Sequence, residues 1–363
     1  MKLLSKTFIV LFLLPALVFA NNDPRCKGKY TKTKTINKEY IVNANAELEI
    51  DNSYGNVDVV TWNENRTVIE VVITTNGDNE EKVQEKLNNI DIDFSGSASR
   101  VVARTIFKDR KNSSWSWWGK KNNKVRMEIN YTIKLPVTNS VDLSNDYGSI
   151  SLNKLEGNAR ISCDYGQVNI GQLMADNNSL NFDYSKNCTI GYMKSGKITA
   201  DYSGFTLEKV GELELNADYS KSEILEAGSV NYNNDYGKLK VGKAKNIMGH
   251  GDYIPLRVAI LEGDLNVDSD YGSITVERIT ATGGDITIRS DYAGIKLGFD
   301  SDYHFDFFVD LSYASFNGKE NLEILKQSKD NSDKNYSGFH GKKGSGNTVN
   351  IRSEYGGVTL EKN

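Results

Sequence analysis

An Asp-Tyr pair recurs along the C-terminal two thirds of the chain at a nearly constant interval. Successive tyrosines of the series are 17 to 21 residues apart. A short repeat of this kind cannot bury its own apolar face, so like units have to stack on one another to form a continuous core. The nine tyrosines of the series are Tyr147, Tyr165, Tyr184, Tyr202, Tyr219, Tyr236, Tyr253, Tyr271 and Tyr292.

Apolar and polar residues alternate on both sides of each of these tyrosines. Around Tyr271, for example, Val267 lies four residues before the ring, and Ile274 and Val276 lie three and five residues after it. Alternation of period two predicts short strands on either side of a turn. We therefore expect an all-β chain, in the form of a β-solenoid (single-stranded β-helix) with about 17–18 residues per coil and coils about 4.8 Å apart.

The same alternation assigns a side to each member of the pair. It places the tyrosines with the apolar residues, so that they form a structural ladder buried at one corner, and it places the aspartates on the solvent side. Buried aromatic rings would add packing area, and each hydroxyl would reach a polar partner. The alternative is a row of exposed tyrosines that stack on a ligand.

A row of outward carboxylates at the coil spacing requires something to offset its repulsion. Aspartates at sharp turns commonly accept backbone N–H hydrogen bonds. The alternative is a divalent cation, Ca²⁺, shared between neighbouring carboxylates; no other cofactor is expected. The candidate ligands are Asp201, Asp218, Asp235 and Asp252.

The ends of the chain suggest how it is organised. Residues 1–20 have the charged start, apolar centre and small-residue end of a secretory signal peptide. Residues 21–136 would hold a first coil around Tyr54 and an insertion, and residues 137–363 the solenoid, with further coils around Tyr313 and Tyr355. The polar stretch at about 317–347 is typical of a mobile loop. We expect the mature chain to have no transmembrane segment and to be periplasmic, at the cell surface or secreted.

The insertion is expected to be small, rich in strands and to carry one helix. Asp78 to Ile90 combines capping-box spacing with an apolar stripe. Residues 100–107 and 125–133 alternate as strands do. Between these strands a Lys/Arg-rich turn carries three of the four tryptophans, which either contact a membrane interface, glycan or protein or cover the open end of the solenoid. These candidate binding residues are Trp115, Trp117 and Trp118.

The net charge and the sequence motifs of the chain limit the classes of function that we expect. Without Lys2 and Lys6 there remain 42 basic and 48 acidic residues, which argues against nucleic acid as a partner. Cys163 and Cys188 are the plausible disulfide pair of an exported chain. The three histidines lie far apart in sequence, and no nucleophile or zinc motif occurs, so we expect no enzyme.

Two stretches, "LEIDNSYGNVDVVTW" at 48–62 and "INYTIKLPVTNSVDLSNDYGSISL" at 129–152, resemble the bacterial putative-adhesin family of exported β-strand-repeat proteins. The resemblance implies a strand-rich N-terminal part followed by a solenoid. We expect a non-enzymatic, adhesin-like binding or scaffolding module at the cell envelope, with an envelope protein, a glycan or a cell surface as partner. A carbohydrate-active lyase or hydrolase on the same scaffold is the alternative, and an envelope-stress or signalling accessory is a third.

Overall fold

The computed structural model describes residues 28–108 and 125–363. The signal peptide predicted at 1–20, Cys26 and the candidate tryptophans Trp115, Trp117 and Trp118 lie outside these residues. Within the described part the chain is all-β with one α-helix, as predicted. No helix of that part is long and apolar enough to cross a membrane.

The N-terminal part combines a first repeat with the insertion. Helix α1, Glu80–Asn88, is shorter than predicted, because the Asn79 side chain and not Asp78 caps it by accepting a hydrogen bond from the Lys82 N–H. Val83 and Leu87 are buried, as the apolar stripe predicts. The strands of this part are β1 (Tyr30–Ile41), β2 (Glu47–Ser53), β3 (Val57–Trp62), β4 (Arg66–Gly77), β5 (Ile90–Gly96), β6 (Arg100–Phe107) and β7 (Arg126–Pro136).

The repeats that follow pair in parallel with their neighbours. Where two strands of this group pair with each other, the partners are one repeat apart, as in Lys197↔Glu214 and Ile198↔Leu215. The strands are β8 (Ser140–Asp146), β9 (Ile150–Leu155), β10 (Ala159–Asp164), β11 (Val168–Leu173), β12 (Asn178–Asp183), β13 (Cys188–Asp201), β14 (Gly204–Asn216), β15 (Lys221–Asn233), β16 (Lys238–His250), β17 (Pro255–Leu261), β18 (Leu265–Asp268), β19 (Ser273–Ile279), β20 (Ile286–Asp291) and β21 (Gly294–Phe299).

The C-terminal part breaks the simple succession of repeats. The segment predicted as a loop at 317–347 is instead a 3-10 turn (Lys319–Asn321) and an antiparallel hairpin on β22, so that prediction is wrong. The last repeat lies between two earlier ones, because β26 pairs with both β20 and β22. The strands here are β22 (Phe305–Ser312), β23 (Phe316–Asn317), β24 (Glu323–Asp330), β25 (Asp333–His340), β26 (Thr348–Glu354) and β27 (Val358–Lys362).

Alternation within the strands builds one continuous core. In β8, Val141 and Leu143 are buried while Asp142 and Ser144 face outward. Equivalent positions of successive repeats stack, as Leu143 does with Ile161 through the parallel register. Fully burying a side chain of this size contributes about 2 kcal/mol. The core therefore runs through all repeats and joins the insertion to them.

The two cysteines of the described part are not bridged, so the predicted disulfide is wrong. Cys163 and Cys188 are both buried free thiols. The Cys163 thiol donates to the Gly148 carbonyl at 3.3 Å, and the Cys188 sulfur accepts from the Val168 N–H at 3.3 Å. The two side chains take part in separate contacts inside the core.

Candidate binding surface

Twelve tyrosines form a row along the repeats, which we call the tyrosine ladder; eleven of them are exposed and Tyr54 is partly buried. Neighbouring rings lie nearly parallel, 2–9° apart, with centroids separated by 4.7–5.3 Å. Strands in a sheet are 4.7–4.9 Å apart, so the backbone spacing sets the stacking distance. In spatial order the ladder consists of Tyr54, Tyr147, Tyr165, Tyr184, Tyr202, Tyr219, Tyr236, Tyr253, Tyr271, Tyr292, Tyr355 and Tyr313.

The ladder faces solvent, which corrects the prediction of buried rings. The nine tyrosines of the predicted series, from Tyr147 to Tyr292, are 47–54 % exposed. The cause is the backbone: every ladder tyrosine has a positive φ, between 51° and 66°. A residue in this left-handed conformation interrupts the alternation of the strand, so the ring that should point inward points outward.

This conformation is costly for a residue with a Cβ, at roughly 1–2 kcal/mol. The turn keeps its backbone hydrogen bonds, since the N–H of Tyr54 and of each tyrosine from Tyr147 to Tyr271 donates to the aspartate carbonyl of the next repeat; Tyr202 N to Asp218 O measures 3.0 Å. The N–H groups of Tyr292, Tyr355 and Tyr313 donate to the carbonyls of Glu354, Ser312 and Ser332. Stacked aromatic pairs contribute about 0.5–1.5 kcal/mol beyond burial. Ring stacking is thus of the same order as the backbone strain and offsets much of it.

The residue after the tyrosine is glycine, serine or alanine at eleven of the twelve ladder positions, with Ile254 as the exception, because the turn passes close to the preceding repeat. A Cβ on Gly166 would lie 1.9 Å from the Gly148 carbonyl oxygen. Where serine occupies this position its hydroxyl is used internally: Ser203 Oγ donates to the Phe182 carbonyl at 2.9 Å. A small residue directly after a repeated aromatic is therefore the sequence signal of the outward turn.

Six of the nine aspartates that precede the tyrosines of the predicted series accept a backbone N–H hydrogen bond, as one of the two interpretations of the sequence predicted. Asp218 Oδ1 accepts the Asp235 N–H at 3.0 Å, and Asp235 Oδ1 accepts the Asp252 N–H at 2.9 Å. Asp201 does the same for Asp218 at 3.2 Å. The row of carboxylates lies beside the ladder and gives it one acidic border.

The calcium hypothesis for Asp201, Asp218, Asp235 and Asp252 stays a prediction. In residues 28–108 and 125–363, no three His, Cys, Asp or Glu side chains are grouped as metal ligands are. One oxygen of each of these carboxylates accepts a backbone N–H, which leaves the other oxygen for a cation. Melting with and without millimolar Ca²⁺ tests the hypothesis.

The rings present their edges and hydroxyls, not their faces. Within the described residues no ladder hydroxyl bonds another protein group, whereas the buried Tyr131 and Tyr303 hydroxyls do. Partial burial, and then the neighbouring tyrosines, raise the pKa of Tyr165, Tyr219 and Tyr355. These three phenols therefore stay protonated and can donate hydrogen bonds to a partner.

The two ends of the ladder differ. At the first end the Phe107 ring meets Tyr54 edge-on, with centroids 6.2 Å apart, and a cleft of about 420 Å³ opens between Tyr54, Tyr147 and Arg126. Phe107 and Arg126 flank the segment that holds the candidate tryptophans. At the other end Tyr313 has a ring neighbour on one side only and is 65 % exposed.

Among the comparisons with known proteins, only the comparison with solved structures finds similar proteins. No family model matches the chain, and no curated protein matches it. A putative cell adhesion protein from Clostridium sporogenes aligns at 11 % identity over 91 % of this chain and 100 % of its own, with a TM-score of 0.17. Putative adhesins from Parabacteroides distasonis (11 % identity, 73 % and 97 % covered) and Parabacteroides merdae (10 %, 90 % and 96 %) each have a TM-score of 0.33. At these scores the likenesses say nothing about the function of this chain.

Proposed function

We propose that this protein is an exported, non-enzymatic β-solenoid that acts as an adhesin-like binding module at the bacterial envelope, with the tyrosine ladder as its contact face. The observation that carries the proposal is the exposure of the ladder. Half-exposed rings leave roughly 100 Å² each in solvent, since a buried aromatic covers 150–250 Å². The eleven exposed rings together exceed the 300–600 Å² of the largest apolar patch on a typical monomer.

The chemistry of the ladder favours a protein as its partner. Tyrosine is enriched at protein interfaces because it offers a rigid, amphipathic surface at a low entropic cost. Sugar rings stack on aromatic faces, and in the ladder the faces are covered by neighbouring rings. The acidic border formed by residues such as Asp218 and Asp235 selects a partner with a basic rim and disfavours a second copy of this chain.

We also propose Trp115, Trp117 and Trp118, which lie outside the described residues, as contact residues, because a turn rich in Trp and in Lys and Arg is typical of a contact site. The enzyme alternative gains no support from Asp201, Asp218 and Asp235, because each makes an equivalent backbone hydrogen bond and none of the three is singled out for acid–base chemistry.

The test compares ring removal with hydroxyl removal in the secreted protein. Asparagine tolerates the left-handed conformation, so Y202N/Y219N/Y236N removes three rings without adding backbone strain, and Y202F/Y219F/Y236F keeps them. We expect saturable, protease-sensitive binding to isolated bacterial envelopes that the Asn variant loses and the Phe variant weakens. L225S, which removes an exposed side chain of another row, is the control. Full binding by a folded Asn variant would refute the proposal.

A further inference from the structure

A shallow groove of about 820 Å³ crosses six neighbouring strands, β12 to β16 and β18. These strands lead into the turns that carry the tyrosine ladder. The groove lies between rows of side chains five and seven residues before each tyrosine. The first of these rows is continuous through the parallel register and consists of Ser179, Lys197, Glu214, Asn231, Met248 and Asn266.

The lining of the groove is mainly neutral and polar. Leu213, Val230 and Ile247 lie beneath it with their side chains buried in the core. The amides of Asn231 and Asn266 are exposed and bond no other described residue. Such side chains offer both donors and acceptors, so the groove suits a ligand that carries many hydroxyl groups.

The strands that form the groove have no free backbone edge to which another strand could pair. Each strand that crosses it is paired on both sides; β14, for example, pairs with β13 and with β15, and β16 pairs with β15 and β18. An extended peptide binds a sheet chiefly by adding to a free edge. No free edge exists in this groove, so recognition has to come from side chains alone, which favours a glycan over a peptide.

The charges of the groove favour a neutral chain. The Lys197 ammonium and the Glu214 carboxylate form an ion pair, with 2.6 Å between Nζ and Oε1. Glu212 and Asp264, on the second row, leave the groove slightly acidic, which repels acidic polysaccharides. Strands repeat every 4.7–4.9 Å across the groove, a step close to the length that one pyranose ring adds to an extended chain.

We infer that this groove is a binding site for a neutral, extended oligosaccharide chain that lies across the strands, one sugar ring per strand. The exposed amides of Asn231 and Asn266 bond the sugar hydroxyls, and the Met248 side chain, 52 % exposed, packs on a ring face. The site deepens the proposed binding function but consists of residues separate from the ladder.

The test titrates neutral β-linked gluco-, manno- and chito-oligosaccharides of graded length into the secreted protein, by calorimetry. We expect affinity to rise with length until the chain spans six strands, and acidic oligogalacturonates not to bind. N231A should weaken binding about fivefold, as expected for one lost hydrogen bond, and S229F should abolish it by filling the groove. Q172A changes an exposed amide outside the groove and should bind like the wild type.

Three outcomes would overturn the inference: no neutral oligosaccharide binds, binding persists unchanged in both N231A and a folded S229F, or an extended polar peptide binds the groove where the sugars do not. The ladder variant Y202N/Y219N/Y236N separates this inference from the proposed function. It should lose envelope binding and keep oligosaccharide binding, so each idea can fail without the other.

Discussion

The ring of Tyr202 lies face to face with the ring of Tyr219, with centroids 4.8 Å apart and planes 5° from parallel. Both residues hold a positive φ, of 51° and 53°, which an L-residue with a Cβ adopts only at a cost. The parallel pairing of the strands brings the rings to stacking distance. In every repeat, therefore, the strained backbone conformation of the tyrosine and the stacking of its ring occur at the same residue.

This coupling predicts an order of stability among variants of Tyr219. Y219A loses two stacked neighbours, Tyr202 and Tyr236, and should be less stable than the wild type by about 1–3 kcal/mol. Y219G loses the same contacts but relaxes the backbone, so it should be about 1 kcal/mol more stable than Y219A. Y219F should stay within about 0.5 kcal/mol of the wild type. Urea denaturation followed by circular dichroism measures the series; an alanine variant at least as stable as the glycine variant contradicts it.

The strands and their parallel stacking follow from the alternation around each tyrosine, but the direction of the rings does not. Strict alternation places Tyr147 on the same side as Leu143, and Leu143 is buried. Because Tyr147 has a left-handed backbone conformation, its ring points to the opposite side, into solvent. In the sequence, the left-handed tyrosine is marked by the small residue that follows it, such as Gly148. A prediction from alternation alone does not use that residue.

The repeat pattern of the sequence also did not predict the position of the last repeat or the hairpin of β24 and β25. Periodicity identifies the repeat around Tyr355 but not its place between Tyr292 and Tyr313. The polar composition of residues 323–340 is typical of loops, yet β25 is buried on one side by pairing with β22. Long-range pairing overrides local composition here.

The close approach behind the ladder predicts different costs for the same substitution. In G166A the new Cβ would meet the Gly148 carbonyl oxygen at 1.9 Å, so the variant should lose about 2–3 kcal/mol through displaced backbone. G294A is the matched control, because nothing lies within 4 Å of its Cβ; it should be neutral or gain about 0.5 kcal/mol. Thermal midpoints of the two variants give the comparison. Equal midpoints would show that the turn has room.

The acidic border predicts a pH dependence for Asp164. Burial, and then the charge of Asp146, raise the pKa of this carboxyl above its ordinary value, and its Oδ1 has no partner in the described residues. An acid with a raised pKa holds its proton more tightly when folded, so it stabilises the fold at low pH and loses that contribution as pH rises through the raised pKa. D164N should therefore be more stable than the wild type at pH 7 and show no gain at about pH 3. Urea midpoints at both values test the sign; an equal gain at both pH values rules the explanation out.

The free thiols in the core predict slow cysteine chemistry in the native protein. Burial raises the pKa of Cys163 to about 12 and also raises the pKa of Cys188, and the reactive thiolate is correspondingly scarce. In a C26S variant, which removes the remaining cysteine, iodoacetamide should label neither site in the folded protein. Unfolding in urea without reductant should expose both thiols to labelling, which mass spectrometry counts. If the unfolded, unreduced protein takes up label only after a reductant is added, Cys163 and Cys188 are bridged and the two separate core contacts described above do not exist in the secreted protein.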